Sequence, residues 1–249
     1  MLLDVILTVS ESKRLIAKGV AAMPAVKEAL AGGTVAVTTG STNGYVVEEL
    51  TGTSIEKNKY MTGATLPAGV GREGRLSREV PDVVLKNGEP VDGVSCTEAL
   101  ADMGRGDVFI KGANALHYET GRVGLLIGHP TGGTIGAALG TVIARRITLI
   151  VPVGLEKNVV QPIEDVYDLM TSDPDYRGPS MWPFEANILT EVEALEILAG
   201  VDAMQSAAGG LAGAEGAVRL ILSGTPEQIE AARTLVESIH GEPPFVGKA

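Results

Sequence analysis

The sequence has a single cysteine, few aromatic residues and no long apolar run. One cysteine, Cys96, cannot form a disulfide within the chain, and with no signal peptide expected, the sequence favours a reducing, cytoplasmic location. Aromatic residues make up only 4% of the chain, so its core must consist mainly of Val, Leu, Ile and Ala. No apolar run reaches the roughly 18 residues of a membrane-spanning helix, so we expect a soluble protein.

Positive charge is also scarce. The chain contains 20 Lys and Arg against 31 Asp and Glu, which gives a formal net charge of −11. Such a charge repels polyanions, and no basic tract is present to neutralise successive phosphates. We therefore expect neither nucleic acid nor a membrane surface as partner. A Walker-type GxxxxGK[ST] motif is absent, which weighs against an ATPase, and no Cys–His cluster has metal-ligand spacing, so we expect no metal site.

Strands and helices alternate over much of the chain. Short β-branched or apolar runs predict the strands, and apolar residues at helical spacing predict the helices between them. The predicted strands are residues 34–39, 107–111, 123–127 and 147–153, and the predicted helices are 43–50, 97–103 and 134–145. This rhythm is typical of a parallel sheet, and it places the chain in the α/β class.

The segments outside this rhythm set the expected domain limits. Residues 2–9 predict a strand or packed arm, and residues 13–32 predict one helix bent at Pro24. Between residues 51 and 92 the periodicity fades, so we expect a long irregular segment with one strand at 83–86, of the kind that often borders a site. The Pro-rich passage 173–184 is typical of a linker or wrapping loop.

We therefore divide the chain into a ligand-binding domain, residues 1–172, and a small α+β C-terminal subdomain, residues 185–249. Patterns in this subdomain predict helices at residues 190–198 and from residue 225, and strands near 203–208 and 217–223.

The first Gly-rich turn lies between a predicted strand and a predicted helix. It consists of Gly40, Ser41, Thr42, Asn43 and Gly44. Free N–H groups at a helix start, the positive end of the helix dipole and two hydroxyls together form a phosphate-binding loop. Ligands of open α/β sheets bind at the carboxyl ends of strands, which favours this interpretation. The alternative is an ordinary turn in which Ser41 or Thr42 caps the helix.

A second Gly-rich cluster, residues 128–134, also joins a strand to a helix. Its candidate ligand-binding residues are Thr131, Gly132 and Gly133, because glycines let a ligand approach the backbone closely. His129 is a candidate general acid/base or phosphate donor. The alternative is a tight turn with a close packing contact between glycine and helix.

A third cluster follows the strand predicted at residues 107–111. Lys111 and Asn114 are candidates for contacting an anion or a sugar hydroxyl, with Lys111 a possible catalytic group. Glu119 is the carboxylate best placed for chemistry. The alternative is that these polar residues at a strand end are simply solvated.

Four stretches carry a family resemblance when they are taken in order. They are IAKGVA from Ile16, VAVTTGSTNGYVVEEL from Val35, DVFIKGANAL from Asp107 and GGTIGAALGTVIARRITLIVPV from Gly132, and together they span residues 13–158. In this order they resemble the superfamily that contains ribose-5-phosphate isomerase, glucosamine-6-phosphate deaminase, the CoA-transferases, the initiation factor 2B-like proteins and the sugar-responsive domain of some repressors.

The resemblance implies a Rossmann-like three-layer parallel sheet in residues 1–172, a ligand cleft between the three turns, and a homo-oligomer. In the isomerases the first turn holds the phosphate, which implies this role for residues 40–43. Where the isomerases have a DGAD-type motif, this chain has Lys111-Gly112-Ala113-Asn114, so ordinary ribose-5-phosphate isomerase activity is not expected.

Three functions remain open from the sequence. The favoured one is binding of a phosphorylated or nucleotide-like metabolite, with isomerase or lyase chemistry. The second is a CoA-transferase-like enzyme with Glu119 as nucleophile, suggested by Glu119-Thr120-Gly121. The third is a non-catalytic metabolite sensor or subunit. The expected partner is thus a phosphorylated or CoA-like small molecule, and the sequence identifies no cofactor.

Overall fold

A computed structural model describes residues 1–71 and 75–245 of the chain. The α-helices are α1 Val9–Ala22, α2 Pro24–Gly32, α3 Ser41–Thr51, α4 Cys96–Ala99, α5 Gly133–Ala144, α6 Ile163–Ser172, α7 Glu191–Ala199 and α8 Pro226–Ile239. The strands are β1 Leu2–Leu7, β2 Thr34–Val37, β3 Val83–Lys86, β4 Glu89–Pro90, β5 Val108–Ile110, β6 Ala115–His117, β7 Arg122–Ile127, β8 Thr148–Pro152, β9 Ser180–Glu185, β10 Asn187–Leu189, β11 Asp202–Ala208 and β12 Val218–Ser223. The predicted α/β class is confirmed.

The largest sheet has six strands in the order β10-β8-β5-β2-β3-β4. The four strands from β10 to β2 run parallel, and β3 pairs antiparallel with β2. Val35, Phe109 and Ile150, one from each of three neighbouring parallel strands, are wholly buried. Strands buried on both faces consist of nearly continuous apolar residues, which is why the sequence predicted β2, β5 and β8.

The strand predicted at residues 123–127 is present, but the prediction that it belongs to the parallel sheet was wrong. It is part of β7, which lies between β6 and β9 in a separate antiparallel sheet. The prediction of a linker or wrapping loop at 173–184 was also wrong for its last residues, because they form β9. Met181 and Phe184 of β9 are buried, and Pro183 is tolerated because β9 is an edge strand of this sheet.

A third sheet joins the two ends of the chain, in the order β1-β12-β11. The predicted strand at residues 2–9 ends at Leu7, because Thr8 caps α1 through a reciprocal pair of hydrogen bonds with Glu11. Residues 202–208, 218–223 and 226–239 form the strands and the last helix expected from the sequence. The small C-terminal layer thus takes one of its strands from the N-terminus.

The helix predicted over residues 13–32 is two helices. The backbone of Met23 is extended, with ψ of 134°, and Pro24 begins α2, because proline at the first helical position loses no intrahelical hydrogen bond. α1 packs against both α3 and α7. β10 pairs with β8 of the largest sheet, although it lies within residues 185–249. The division into two domains stays a prediction.

Candidate anion-binding site

A cavity of about 510 Å³ opens where the three predicted turns meet. The first turn follows β2, Lys111 follows β5, and parallel strands bring their carboxyl ends to one edge of a sheet. The hairpin formed by β6 and β7 adds the loop that leads into α5. Nine of the predicted site residues line the cavity: Gly40, Ser41, Thr42, Asn43, Lys111, Asn114, His129, Gly132 and Gly133.

The first turn presents an uncapped helix start to this cavity. Gly40 is the N-cap residue of α3 and provides no side-chain hydrogen bond, so the alternative in which Ser41 or Thr42 caps the helix is wrong. The first N–H groups of a helix have no partner within it, and they carry the positive end of its dipole. These groups are therefore available to an anion.

Two buried side chains of the same turn also have unused hydrogen-bonding atoms. Thr42 Oγ1 and Asn43 Oδ1 have no hydrogen-bond partner in the described part of the chain. Asn43 is held in place because its Nδ2 donates to the carbonyl of Thr38 at 2.8 Å. Buried polar atoms are nearly always paired in native proteins, so these two atoms are available to hydrogen-bond a ligand or water. Gly44 lies one residue further along and faces the stem of Lys57 instead.

Two lysines that come after neighbouring parallel strands face the cavity: Lys111 follows β5, and Lys157 follows β8. Lys111 Nζ donates to the carbonyl of Gly112 at 3.2 Å, and Lys157 Nζ donates to that of Ala113 at 2.8 Å. Among the described residues, neither lysine forms a salt bridge, and no Asp or Glu lines the cavity. Lys157 was missed from the sequence, because it follows β8 in a 3₁₀ turn with no glycine-rich signal.

Burial lowers the pKa of both lysines. The pKa of Lys111 falls to about 8, first because its ammonium is largely desolvated and second because Lys157 is close, while Asp82 opposes the shift. The pKa of Lys157 is lowered mainly by desolvation as well, and Glu156 partly offsets this. A bound anion stabilises the charged form of both lysines and so offsets this lowering, which means that the site favours a ligand with negative charge.

The second Gly-rich loop has the backbone that its glycines were expected to allow. Gly132 and Gly133 have φ of 82° and 58°, the left-handed region that favours glycine. Gly132 is the N-cap of α5 and gives it no side-chain cap, so a second helix start faces the cavity. His129 Nδ1 and Thr131 Oγ1 are 3.0 Å apart, but only His129 lines the cavity.

Asn114 and Glu119 have different positions relative to the cavity. Asn114 lines it, and because its Oδ1 accepts from the N–H of Leu126 at 3.0 Å, its NH₂ group is the part available to a ligand. Glu119 lies on the 3₁₀ turn Tyr118–Thr120, is exposed and does not line the cavity. The structure therefore does not bring Glu119 together with the other candidates.

A group of buried charges beside Lys157 was not found from the sequence. Lys13 pairs with Glu156 at 3.5 Å between Nζ and Oε1. Glu191 is wholly buried, and its Oε2 accepts from the N–H of Leu155 at 2.9 Å. Desolvation, reinforced by the charge of Glu156, raises the pKa of Glu191 from 4.5 to about 7.

The substitution Glu191→Gln is expected to stabilise the protein at pH 8 but not at pH 5. Between pH 4.5 and about 7, Glu191 keeps its proton in the folded wild type but has lost it in the unfolded state. Stability therefore falls as pH rises through this window, and glutamine, which stays neutral, avoids the loss. At about 1.4 kcal/mol per pKa unit, the rise from 4.5 to about 7 makes the gain at pH 8 roughly 3 kcal/mol, measured by urea unfolding.

The matched control for this prediction is Glu196→Gln, an exposed position on the same helix. We expect this substitution to change the free energy of unfolding only slightly, and by the same amount at pH 5 and at pH 8. An effect of Glu191→Gln that is independent of pH would contradict the raised pKa.

Comparisons with protein-family models, curated protein sequences and solved structures find no match to this chain. Within residues 1–71 and 75–245, no helix is long and apolar enough to cross a membrane. The same residues contain no group of three or more His, Cys, Asp or Glu side chains arranged to hold a metal ion.

Proposed function

We propose that this protein binds a phosphorylated small molecule in the cavity at the carboxyl ends of its parallel strands. One observation carries the proposal: in a chain of net charge −11, Lys111 and Lys157 face a cavity with no acidic side chain among the lining residues that the structure describes. Unpaired ammonium groups, uncapped helix starts and an unpartnered threonine hydroxyl are the groups that bind phosphate oxygens in proteins.

We further propose that the fold is the Rossmann-like arrangement of the sugar-phosphate isomerase and CoA-transferase superfamily. The parallel order β10-β8-β5-β2, with the ligand cavity at its carboxyl edge, supports this proposal. Within it, the reaction is of isomerase or lyase type, Lys111 and Lys157 hold the phosphate, and His129, which also lines the cavity, is the candidate acid/base group. Glu119 has no part in this proposal.

The test is a thermal-shift series on the whole chain with inorganic phosphate, ribose 5-phosphate, glucosamine 6-phosphate, AMP and CoA. A ligand at 100 times its Kd stabilises the folded state by about 2.7 kcal/mol. For a chain of this size, each kcal/mol raises the Tm by about 2–4 °C, so we expect a rise of about 5–10 °C.

Sodium chloride at matched ionic strength and unphosphorylated ribose are the controls for this series. We expect neither to raise the Tm by more than about 1 °C. If chloride gives the same rise as every phosphate, or if no phosphorylated compound gives any, the proposed binding function is wrong.

A further inference from the structure

A second pocket lies on the other side of the loop that carries His129. We call it the side pocket, and its volume is about 830 Å³. It is lined by Ile127, Gly128, His129, Pro130, Thr131, Gly132, Tyr167, Gly178, Ser180, Met181, Trp182 and Pro183. Four of these residues, Ile127, Gly128, His129 and Gly132, line the anion cavity as well. The two spaces therefore adjoin along this loop.

The chemistry of the side pocket differs from that of the anion cavity. None of the described residues that line it is Lys, Arg, Asp or Glu, whereas the cavity holds two lysines. Its largest side chains are the aromatic rings of Tyr167 and Trp182, accompanied by Met181 and two prolines. Flat apolar walls with few polar groups bind a neutral planar ring by stacking, and they offer little to a phosphate or a bare sugar.

Trp182 packs against the glycine loop that lines both spaces. A Cβ atom at Gly132 would lie 2.6 Å from Cζ3 of Trp182, so the indole packs directly on the backbone of that glycine. In β9, Trp182 is paired with Leu125 of β7, and Leu125 lines the anion cavity. The indole remains partly exposed, so its free surface faces the side pocket.

Tyr167 provides the second ring from a different element. It lies on α6, which packs against β9, and its side chain is 39% exposed. Both rings line the side pocket, and both keep solvent-exposed surface. A planar ligand group would cover both.

We propose that the ligand is a nucleoside phosphate, whose base lies in the side pocket beside Trp182 and Tyr167 and whose phosphate lies between Lys111 and Lys157. This inference rests on the proposed function, because it takes the phosphate position from it. Free nucleotides and adenine-containing cofactors such as CoA share this chemistry, and the experiment below separates them.

The test uses the intrinsic fluorescence of Trp182, which is the only tryptophan of the chain. We expect AMP to change the emission saturably as adenine stacks on the indole. Ribose 5-phosphate and inorganic phosphate bind the cavity alone, so we expect them to change the emission little while still raising the Tm. A Kd for CoA at least tenfold below that of AMP would identify CoA as the source of the base.

Variants then assign the effect to the side pocket. Trp182→Leu and Tyr167→Leu are each expected to raise the Kd for AMP about tenfold by calorimetry, while the Kd for ribose 5-phosphate changes less than twofold. Tyr167 lies at the surface, so its substitution keeps the test valid if Trp182→Leu unfolds the chain. The control is Leu169→Ala, an exposed position on the same helix that lines neither pocket.

Two negative results have different meanings here. If AMP binds no more tightly than ribose 5-phosphate and leaves the emission of Trp182 unchanged, the nucleotide inference is overturned and the phosphate site stands. If no phosphate compound binds, the proposed function fails and the nucleotide inference fails with it.

Discussion

Replacing Lys111 with methionine is expected to raise the Kd for inorganic phosphate or ribose 5-phosphate about 10- to 100-fold. A hydrogen bond to a charged group contributes about 1.5–3 kcal/mol, and 1.4 kcal/mol corresponds to a factor of ten. Methionine has a similar length, so it removes the ammonium without leaving a large void. Isothermal titration calorimetry of wild type and variant measures the ratio directly.

The same change should leave the free protein folded and no less stable. Burial of the Lys111 ammonium is unfavourable, as its lowered pKa of about 8 indicates, and its only hydrogen bond among the described residues is to Gly112. We expect Lys157→Met to weaken phosphate binding in the same way. The combination of lost affinity and intact stability separates a binding role from a structural one.

The matched control for both lysine variants is Lys27→Met. Lys27 is exposed on α2 and does not line the cavity, yet its loss changes the net charge by the same amount. We expect its effect on the Kd to stay below twofold. An equal loss of affinity in the Lys27 variant would show that phosphate responds to net charge and that the cavity is not its site.

Phosphate affinity should also decline as pH rises from 7 to 9. The ammonium of Lys111 loses its proton around pH 8 in the free protein, and a neutral amine attracts phosphate far less. This decline should be smaller in the Lys111→Met variant, where only Lys157, whose pKa is also lowered, remains to lose its proton. An equal slope in the variant would assign the titration to another group.

Much of the candidate site was predictable because its parts follow parallel strands. The first turn and Lys111 come directly after apolar runs that became β2 and β5, and neighbouring parallel strands end at the same edge. Lys157 was not predictable in the same way. It comes five residues after β8, next to Glu156, where the sequence looks like a solvated surface; only the position of β8 beside β5 brings it to the cavity.

Glu119 was predicted as a site residue from a short motif, but the structure does not place it at the cavity. Asn114 and Leu125 both line the cavity, so the hairpin of β6 and β7 begins and ends there. Its turn, with Glu119, lies at the distal end of β6, roughly 10 Å away for three extended residues. The sequence indicated a carboxylate near a glycine, but it did not predict the short antiparallel hairpin of β6 and β7 that carries Glu119 away from the cavity.

The pairing of β7 with β9 was hidden for a similar reason. A buried apolar run has the same composition in a parallel and in an antiparallel sheet, so residues 123–127 did not reveal their partner. The partner strand includes Pro183, and proline in an apolar run argues against a strand unless that strand lies at an edge. Local patterns therefore identified the elements, while the long-range pairings determined which of them surround the cavity.

Replacing Arg14 with methionine is expected to destabilise the folded protein by about 3–5 kcal/mol at pH 7. The guanidinium of Arg14 on α1 pairs with Glu48 and Glu49 of α3 and with Glu242 beyond α8. The side chains of all four residues are no more than 20% exposed. Without the guanidinium, Glu242 has no ion pair left among the described residues, and Glu48 and Glu49 keep only Lys57 and Lys18. Losing one partner of a buried ion pair is strongly destabilising. Urea unfolding at pH 7 measures the change.

Arg233→Met is the control, because Arg233 forms an ion pair with Glu230 at 3.7 Å on the exposed face of α8. Exposed pairs of this kind contribute about 0–1 kcal/mol, so we expect a change below about 1 kcal/mol. If Arg14→Met destabilises no more than Arg233→Met, the three carboxylates do not depend on Arg14.

The destabilisation caused by Arg14→Met should be smaller at acidic pH, and the direction of this change follows from the pKa of Glu48. Burial alone would raise the pKa of Glu48, but hydrogen bonds from Arg14 and from the Ile55 amide outweigh it and lower the pKa below 4.5. A carboxyl group with a lowered folded-state pKa contributes stability above its unfolded value and loses it as pH falls through the folded one. At pH 3.5 the destabilisation should therefore be smaller than at pH 7. Because α3 also carries Thr42 and Asn43, a loss of phosphate affinity in the folded Arg14 variant would show that these ion pairs hold the first turn in its binding position.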